Sequence, residues 1–222
     1  MRTTTRTLIA AVTLVTLAGC AGTSDDAPTT APPSTATPTP VAPSETTVPA
    51  EVMLPEGAFP NVTGAVQQAE GVAPWSLPES CMVGAPDTAT AMRQVTFGDG
   101  AEEAQIGMDQ VAAFADADAA VAEMDRIAAA LEACSATPGT ETTYRVEPVE
   151  IGAQGIGLVN DYYGTGDDSA MGTYTVVTRR GNAVQLVGLV GGESLVGETR
   201  GNVTPAAQQG WELLCGYDTS GC

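Results

Sequence analysis

The side chains in this chain that could carry out acid–base, ligand or redox chemistry are carboxylates and thiols. Its 222 residues hold 27 acidic residues, no histidine, and eight basic residues, every one an arginine. Without histidine there is no Ser-His-Asp or Cys-His nucleophile, no imidazole-ligated zinc, and none of the commonest general base. Without lysine, Schiff-base chemistry and the phosphate-loop lysine are also lost. Asp116 and Asp118 could offer oxygens to calcium, but they stand where a helix is predicted to begin, and acidic residues cap such ends without any ligand. Gly164 to Ser169, with Asp167 and Asp168, carries hard oxygen donors but lacks the other ligands of an EF-hand loop, so it reads as a solvated connection. Glu102 with Glu103, or Glu147 with Glu150, could supply the two carboxylates of a glycosidase. In so acidic a chain such pairs arise by chance, and surface charge is the simpler reading. Gly152, Gly155 and Gly157 precede a strand rather than open a helix, the wrong context for a dinucleotide loop. The expectation is no catalytic residue, no metal and no cofactor. Trp75, Trp211, Tyr162, Tyr163 and Tyr174 could line a cleft, although each Trp reads first as packing.

The elements that would position these residues follow from periodicity. Asn61 to Glu70 is predicted as a short helix stopped by Gly71. Strands are predicted at about Thr90–Phe97 and Glu103–Phe114, joined through Gly98-Asp99-Gly100. Val121, Met124, Ile127, Leu131 and Cys134 recur at steps of three and four, which gives a long Ala-rich helix over Asp116–Cys134 with one apolar stripe. Four more strands follow, at about Thr142–Val149, Ile156–Tyr163, Thr173–Thr178 and Ala183–Val190, the last two joined by Arg180-Gly181-Asn182. A final helix is predicted from Thr204, with Pro205 at its first position, to Gly216. Strands that come in hairpin-linked groups imply an α+β domain: an antiparallel sheet of about five to six strands with the long helix and the C-terminal helix packed on it.

The amino-terminal end of the chain differs from this region. Met1 to Arg6 is positive and Leu8 to Leu17 is apolar but too short to span a bilayer, which marks a secretory leader over residues 1–19. Leu17-Ala18-Gly19-Cys20 resembles the lipobox of bacterial lipoproteins, and this implies cleavage before Cys20 and acylation of its thiol with palmitate-type chains. Residues 20–55 are rich in Thr, Pro, Ala and Ser and are expected to form a disordered tether, leaving 56–222 as the extracytoplasmic domain. Fully extended, the tether would reach on the order of 100 Å. Its threonines would suit O-glycosylation, whereas Asn61-Val62-Thr63 and Asn202-Val203-Thr204 match the N-glycosylation triplet by chance in such a setting. Once Cys20 is lipidated, Cys81, Cys134, Cys215 and Cys222 remain, an even number in an exported chain and therefore two disulfides. Three pairings are possible. Cys81–Cys134 and Cys215–Cys222 are preferred, because the second closes over a short flexible loop. The formal charge of −19 repels nucleic acid and anionic headgroups. The membrane is therefore a partner only through the lipid, with the protein held on the extracytoplasmic face.

The tether, the run Val111 to Ala117 leading into an Ala-rich helix that ends in a Cys, Gly152 before a strand, and Arg179 to Val184 in a hairpin together resemble the extracellular sensor-like domains of actinobacterial lipoproteins and PknH-type receptor kinases. That resemblance implies a disulfide-braced cleft that binds an extracellular ligand, and it brings no catalytic residue with it. The expected function is a non-enzymatic, lipid-anchored ligand-binding or sensor-type domain whose ligand is a small molecule, glycan or lipid. An envelope module that binds a basic protein is the alternative, followed by a carboxylate-dependent hydrolase.

Overall fold

The computed structural model describes residues 47–100, 104–137, 142–218 and 222. The leader, Cys20 and the tether up to residue 46 lie outside the described residues, as do Glu102, Glu103 and Gly139. Seven strands and two helices follow in the order β1 Val66–Glu70, β2 Ala89–Phe97, β3 Ile106–Phe114, α1 Ala117–Ser135, β4 Thr143–Val149, β5 Gly155–Asp161, β6 Gly172–Arg180, β7 Ala183–Val190 and α2 Val196–Leu213. They form one sheet, ordered β1-β2-β3-β7-β6-β5-β4, with every pairing antiparallel. From β3 the chain crosses one face as α1, starts again at the far edge with β4, and returns by hairpins until β7 pairs with β3. The class and layout are those expected, α+β with both helices packed on an antiparallel sheet.

The helices cover opposite faces. On one face Ala120, Met124, Ile127 and Leu131 of α1 pack with Phe114, Leu158, Val184 and Leu186, together with Trp75. Each fully buried Met, Ile or Leu there contributes about 2 kcal/mol by removing apolar area from water. On the other face Val203, Ala206 and Ala207 of α2 pack with Val111, Val176, Val187 and Leu189. The same cluster takes in Val48, Val52, Met53, Leu54 and Phe59 from the N-terminal segment. Ordered chain therefore starts ahead of the boundary expected at residue 56. The apolar residues Val48, Val52, Met53 and Leu54 are enough to bind this end of the Thr/Pro-rich stretch to the sheet.

Three further expectations are corrected. The segment expected to be a helix over 61–70 is edge strand β1, because Gly64 takes φ 112° and Val66 to Glu70 find partners along β2 from Phe97 to Arg93. This strand raises the sheet from five or six strands to seven. The last helix starts at Val196 rather than at Thr204, so Pro205 lies inside it. Pro205 and Gly201 are both exposed, so the carbonyl that proline leaves without an amide partner can be hydrated. The described thiols are joined as Cys81–Cys134 and Cys215–Cys222, with Cα separations of 5.1 and 6.0 Å. These are the two pairs that the loop argument prefers.

Candidate ligand groove on the sheet

On the face covered by α1, the helix leaves one end of the central strands open. The floor there comes from four neighbouring strands: Met108 of β3, Val190 of β7, Thr173 of β6 and Asn160 of β5. Tyr162, just beyond β5, closes one end, and Ser76, Leu77 and Pro78 form a wall. The groove has a volume of about 280 Å³. Alternation along the strands sets this lining, since Met108, Asn160 and Thr173 point to the same side as the α1-facing residues.

The wall is pinned from several directions. Gln110 of β3, buried, accepts the Ser76 N–H at 2.7 Å and donates to the Pro74 carbonyl at 3.1 Å and to Gln94 at 3.2 Å. The Trp75 indole N–H donates to Glu123 of α1 at 2.6 Å. Arg126, one turn along α1, grips both Glu123 oxygens at 2.8 and 2.7 Å and donates to the Val83 carbonyl at 2.5 Å and the Ala85 carbonyl at 3.3 Å. Cys81 is bonded to Cys134 at the end of α1. Residues 74–85 are thus fastened to the sheet and to the helix along their length, and a wall held in this way presents a preformed shape. Replacing Glu123 by Gln keeps an acceptor for Trp75 but removes the charge paired with Arg126. Because the Arg126 side chain is 37% exposed, the expected loss is about 1–2 kcal/mol, read by urea unfolding.

Within the groove the Tyr162 hydroxyl is bonded to Thr173, and burial raises its pKa above the ordinary phenol value. Asn160 differs from its neighbours in that its Oδ1 is buried and has no hydrogen-bond partner. Buried carbonyl oxygens are rarely left unpaired, because the lost hydration costs about 1–3 kcal/mol.

The carboxylates singled out from the sequence are engaged elsewhere. Asp116 caps α1 by accepting the Ala119 N–H at 2.8 Å, and Asp118 lies in its first turn. At the end of β5, buried Asp161 accepts from Tyr163, Gly164 and Gly166 of the following loop at 3.0, 2.9 and 2.7 Å. Exposed Asp167 accepts both Ser169 donors, and these bonds lower its pKa. Arg200 of α2 holds Glu147 through two bonds at 3.1 and 3.0 Å and Asp168 at 2.5 Å. Glu150 is exposed just past the end of β4. Glu147 is therefore committed to a cation on the opposite face of the sheet from the groove. Burial, with the Glu147 carboxylate beside it, pushes the Tyr174 hydroxyl well above the usual phenol range. Gly152 meets the Trp211 indole, and Gly157 lies under the Tyr174 hydroxyl, so both glycines serve close packing. Trp75 is core, Trp211 stacks under the Arg180 guanidinium at 3.4 Å, and Tyr163 is 66% exposed. Of the five aromatics, Tyr162 lines the groove. Among the described residues no cluster of three or more His, Cys, Asp or Glu is placed to hold a metal, and no helix is long and apolar enough to cross a membrane.

Sequence reasoning missed Asp109, Gln110, Glu123, Asn160 and Gln185. Four of them are polar residues inside strands that are otherwise largely apolar, and that interruption is the signal available in the sequence. Two other depressions are larger. One, of about 600 Å³, brings Asn61 and Asn202 of the two Asn-x-Thr triplets to a rim with exposed Glu193 and Glu198. The other, of about 590 Å³, borders the Cys81–Cys134 bond and Met82, which is 57% exposed.

Among solved structures, the extracellular domain of PknH from Mycobacterium tuberculosis resembles this chain, with 16% identity, 77% of this chain and 98% of that chain covered, and a TM-score of 0.45. It is an extracellular domain of the PknH type that the sequence pattern resembles. No known family profile matches the chain, and no curated protein matches it.

Proposed function

We propose that this chain is a non-catalytic, lipid-anchored protein whose extracytoplasmic domain binds a small ligand in the groove over β3, β7, β6 and β5. One observation carries the reading: a groove of mixed apolar and polar lining opens over four strands, with its wall pinned both to the sheet and to α1. Ligand sites are typically of this composition, mainly apolar with a few placed polar groups. The groove has no carboxylate pair and no nucleophile–base pair among its lining residues, which favours binding over turnover. The leader, the Leu-Ala-Gly-Cys sequence and the two disulfides support export to an oxidising compartment.

Two experiments test the two halves of this proposal. Cys20→Ala is expected to release the protein from the membrane fraction or to stall it as uncleaved precursor. Membrane retention after correct cleavage would end the anchor argument. For binding, low-molecular-mass fractions of spent medium and envelope extract are expected to raise the melting temperature of the native chain. They should leave Met108→Trp, whose added ring fills the groove from a half-buried position, unchanged. If the two proteins respond alike, the groove is not where binding occurs.

A further inference from the structure

The two disulfides differ in a way that bears on their chemistry. Cys81 and Cys134 are both buried, 2% and 8% exposed, whereas Cys222 is exposed and its partner Cys215 half-buried. We propose that Cys215–Cys222 is a thiol-exchange site, at which a small neutral or cationic thiol attacks Cys222 Sγ and expels Cys215 as a thiolate held by Arg180. This does not depend on the groove, and it makes the bond a place of reversible modification as well as a link.

The placement of Arg180 gives the exchange its direction. Arg180 ends β6 on the face covered by α2, where its guanidinium stacks on Trp211 at 3.4 Å and its Nη1 donates to Cys215 Sγ. Trp211 is itself fixed, its indole N–H donating to the Arg179 carbonyl at 3.1 Å. Fully buried Leu214 anchors the single turn Leu214–Gly216 that carries Cys215. The cation therefore stands at the sheltered sulfur of the pair, and the exposed residue is its partner. A divalent sulfur accepts hydrogen bonds only weakly, so the contact contributes little while the disulfide is closed. Once the bond breaks it becomes a charge-assisted bond to a thiolate, and a cation beside a thiol favours its ionised form. Exchange is faster where the attacked sulfur is accessible and the leaving thiolate is stabilised. Both conditions select attack on Cys222 and departure of Cys215. Two carboxylates also act on Arg180. Glu212 is exposed and screened by solvent, and Asp218 accepts the Asn182 N–H at 3.1 Å. They reduce the positive potential at Cys215 without removing the direct contact.

The step balances without an added oxidant. The incoming thiolate forms a bond to Cys222 Sγ, the bond between the two protein sulfurs breaks, and its electron pair stays on Cys215. The incoming sulfur is oxidised to the disulfide level as Cys215 is reduced. The Cys215 thiolate can attack Cys222 in turn and release the thiol, so capture is reversible. The class of thiol follows from charge, because a chain with a formal charge of −19 repels anionic reagents.

The test uses the full chain carrying Cys20→Ala, treated at neutral pH with millimolar cysteamine, 2-mercaptoethanol or 2-mercaptoethanesulfonate. Samples are quenched with iodoacetamide, the modified cysteines are located by fragmentation mass spectrometry, and rates are taken per thiolate. Cysteamine is expected on Cys222, with the alkyl group on Cys215, at least tenfold faster than Cys81–Cys134 opens. The anionic 2-mercaptoethanesulfonate is expected to react more slowly than the other two thiols. In Cys222→Ser, where Cys81–Cys134 stays closed, the pH dependence of alkylation should show the Cys215 thiol ionising below the ordinary value of about 8.5. Arg180→Gln should raise that value and slow cysteamine capture at least threefold, whereas a merely structural role for Arg180 would leave the ionisation of Cys215 unmoved. Opening of both disulfides at one rate, an adduct mainly on Cys215, or no adduct on Cys222 overturns the exchange site. A Cys215 thiol that ionises at or above the ordinary value with Arg180 in place overturns the part given to Arg180, whether or not Arg180→Gln folds. If 2-mercaptoethanesulfonate reacts as fast as cysteamine, the neutral or cationic class falls.

Discussion

Replacing Cys81 and Cys134 together by alanine is expected to destabilise the domain by about 4 kcal/mol. The bond spans 53 positions in sequence, and a cross-link over a loop of that length removes about that much chain entropy from the unfolded state. For a domain of this size the melting temperature should fall by roughly 10 °C, read by calorimetry. The same variant tests how the groove wall is held. Trp75 and Ser76 are fixed by Glu123 and Gln110, while Val83 and Ala85 are fixed by Arg126. Hydrogen exchange should therefore accelerate at Glu79–Met82 and stay slow at Trp75 and Ser76. Uniform loss of protection from 74 to 85 would show that the disulfide alone orders this segment. The Cys215–Cys222 bond spans only 7 positions, and by the same relation it contributes about 2 kcal/mol.

The second large effect is a pH dependence centred on Asp109. This side chain is fully buried in β3, where it accepts the Leu54 N–H at 2.7 Å and the Gln185 amide at 2.8 Å. Burial outweighs both bonds and raises its pKa from 3.8 to about 6. A carboxyl that is harder to ionise folded than unfolded gives stability that is fully present below the unfolded pKa and is lost as pH rises through the folded one. Between pH 4 and 7 the contribution from Asp109 should fall by about 3 kcal/mol at most. Asp109→Asn should remove that slope while keeping an acceptor for Leu54, and a turn of the Gln185 amide brings its otherwise unbonded Oε1 to face the new NH₂. Urea titrations of both proteins at pH 4.5, 5.5, 6.5 and 7.5 give the test. The variant should gain on the native protein as pH rises, and a pH-independent difference would mean that Asp109 does not take up its proton in this window.

Where the sequence was legible, the signals were local. The stripe from Met124 to Cys134 marks α1 because four of its residues fall on one side of a single helix. Asp116 as the cap, and the tight hairpin through Gly181 and Asn182, are likewise decided within a few residues. β1 was not legible, because Val-Gln-Gln-Ala-Glu has no strong strand pattern and becomes a strand only when β2 offers its edge. The start of α2 was hidden by Pro205, whose usual place is the first turn, although an exposed turn within a helix also accepts it. The groove is the least local feature of all. It exists because β7 pairs with β3, placing Val190 beside Ile106, and because a loop more than 30 residues earlier in the chain is tied down by Gln110 of β3 and Glu123 of α1. No window along the chain contains these partners together.

The cluster beneath α2 has a bearing on the order in which the molecule assembles. Val48, Val52, Met53 and Leu54 share it with Val203, Ala206, Ala207 and Leu214, so the first and last parts of the domain complete a single interior. Val52 lies so close to Gly216 that an added methyl there would approach it to 3.3 Å. A chain emerging amino end first, from a ribosome or across a membrane, must leave its earliest apolar residues waiting until almost the last residue is free. The opposite face can close sooner, since the residues of its cluster lie between Trp75 and Leu186. Premature termination before α2 would leave the Leu54–Asp109 junction without its cover, exposing an adhesive surface to quality-control proteases while the other half of the fold is already formed.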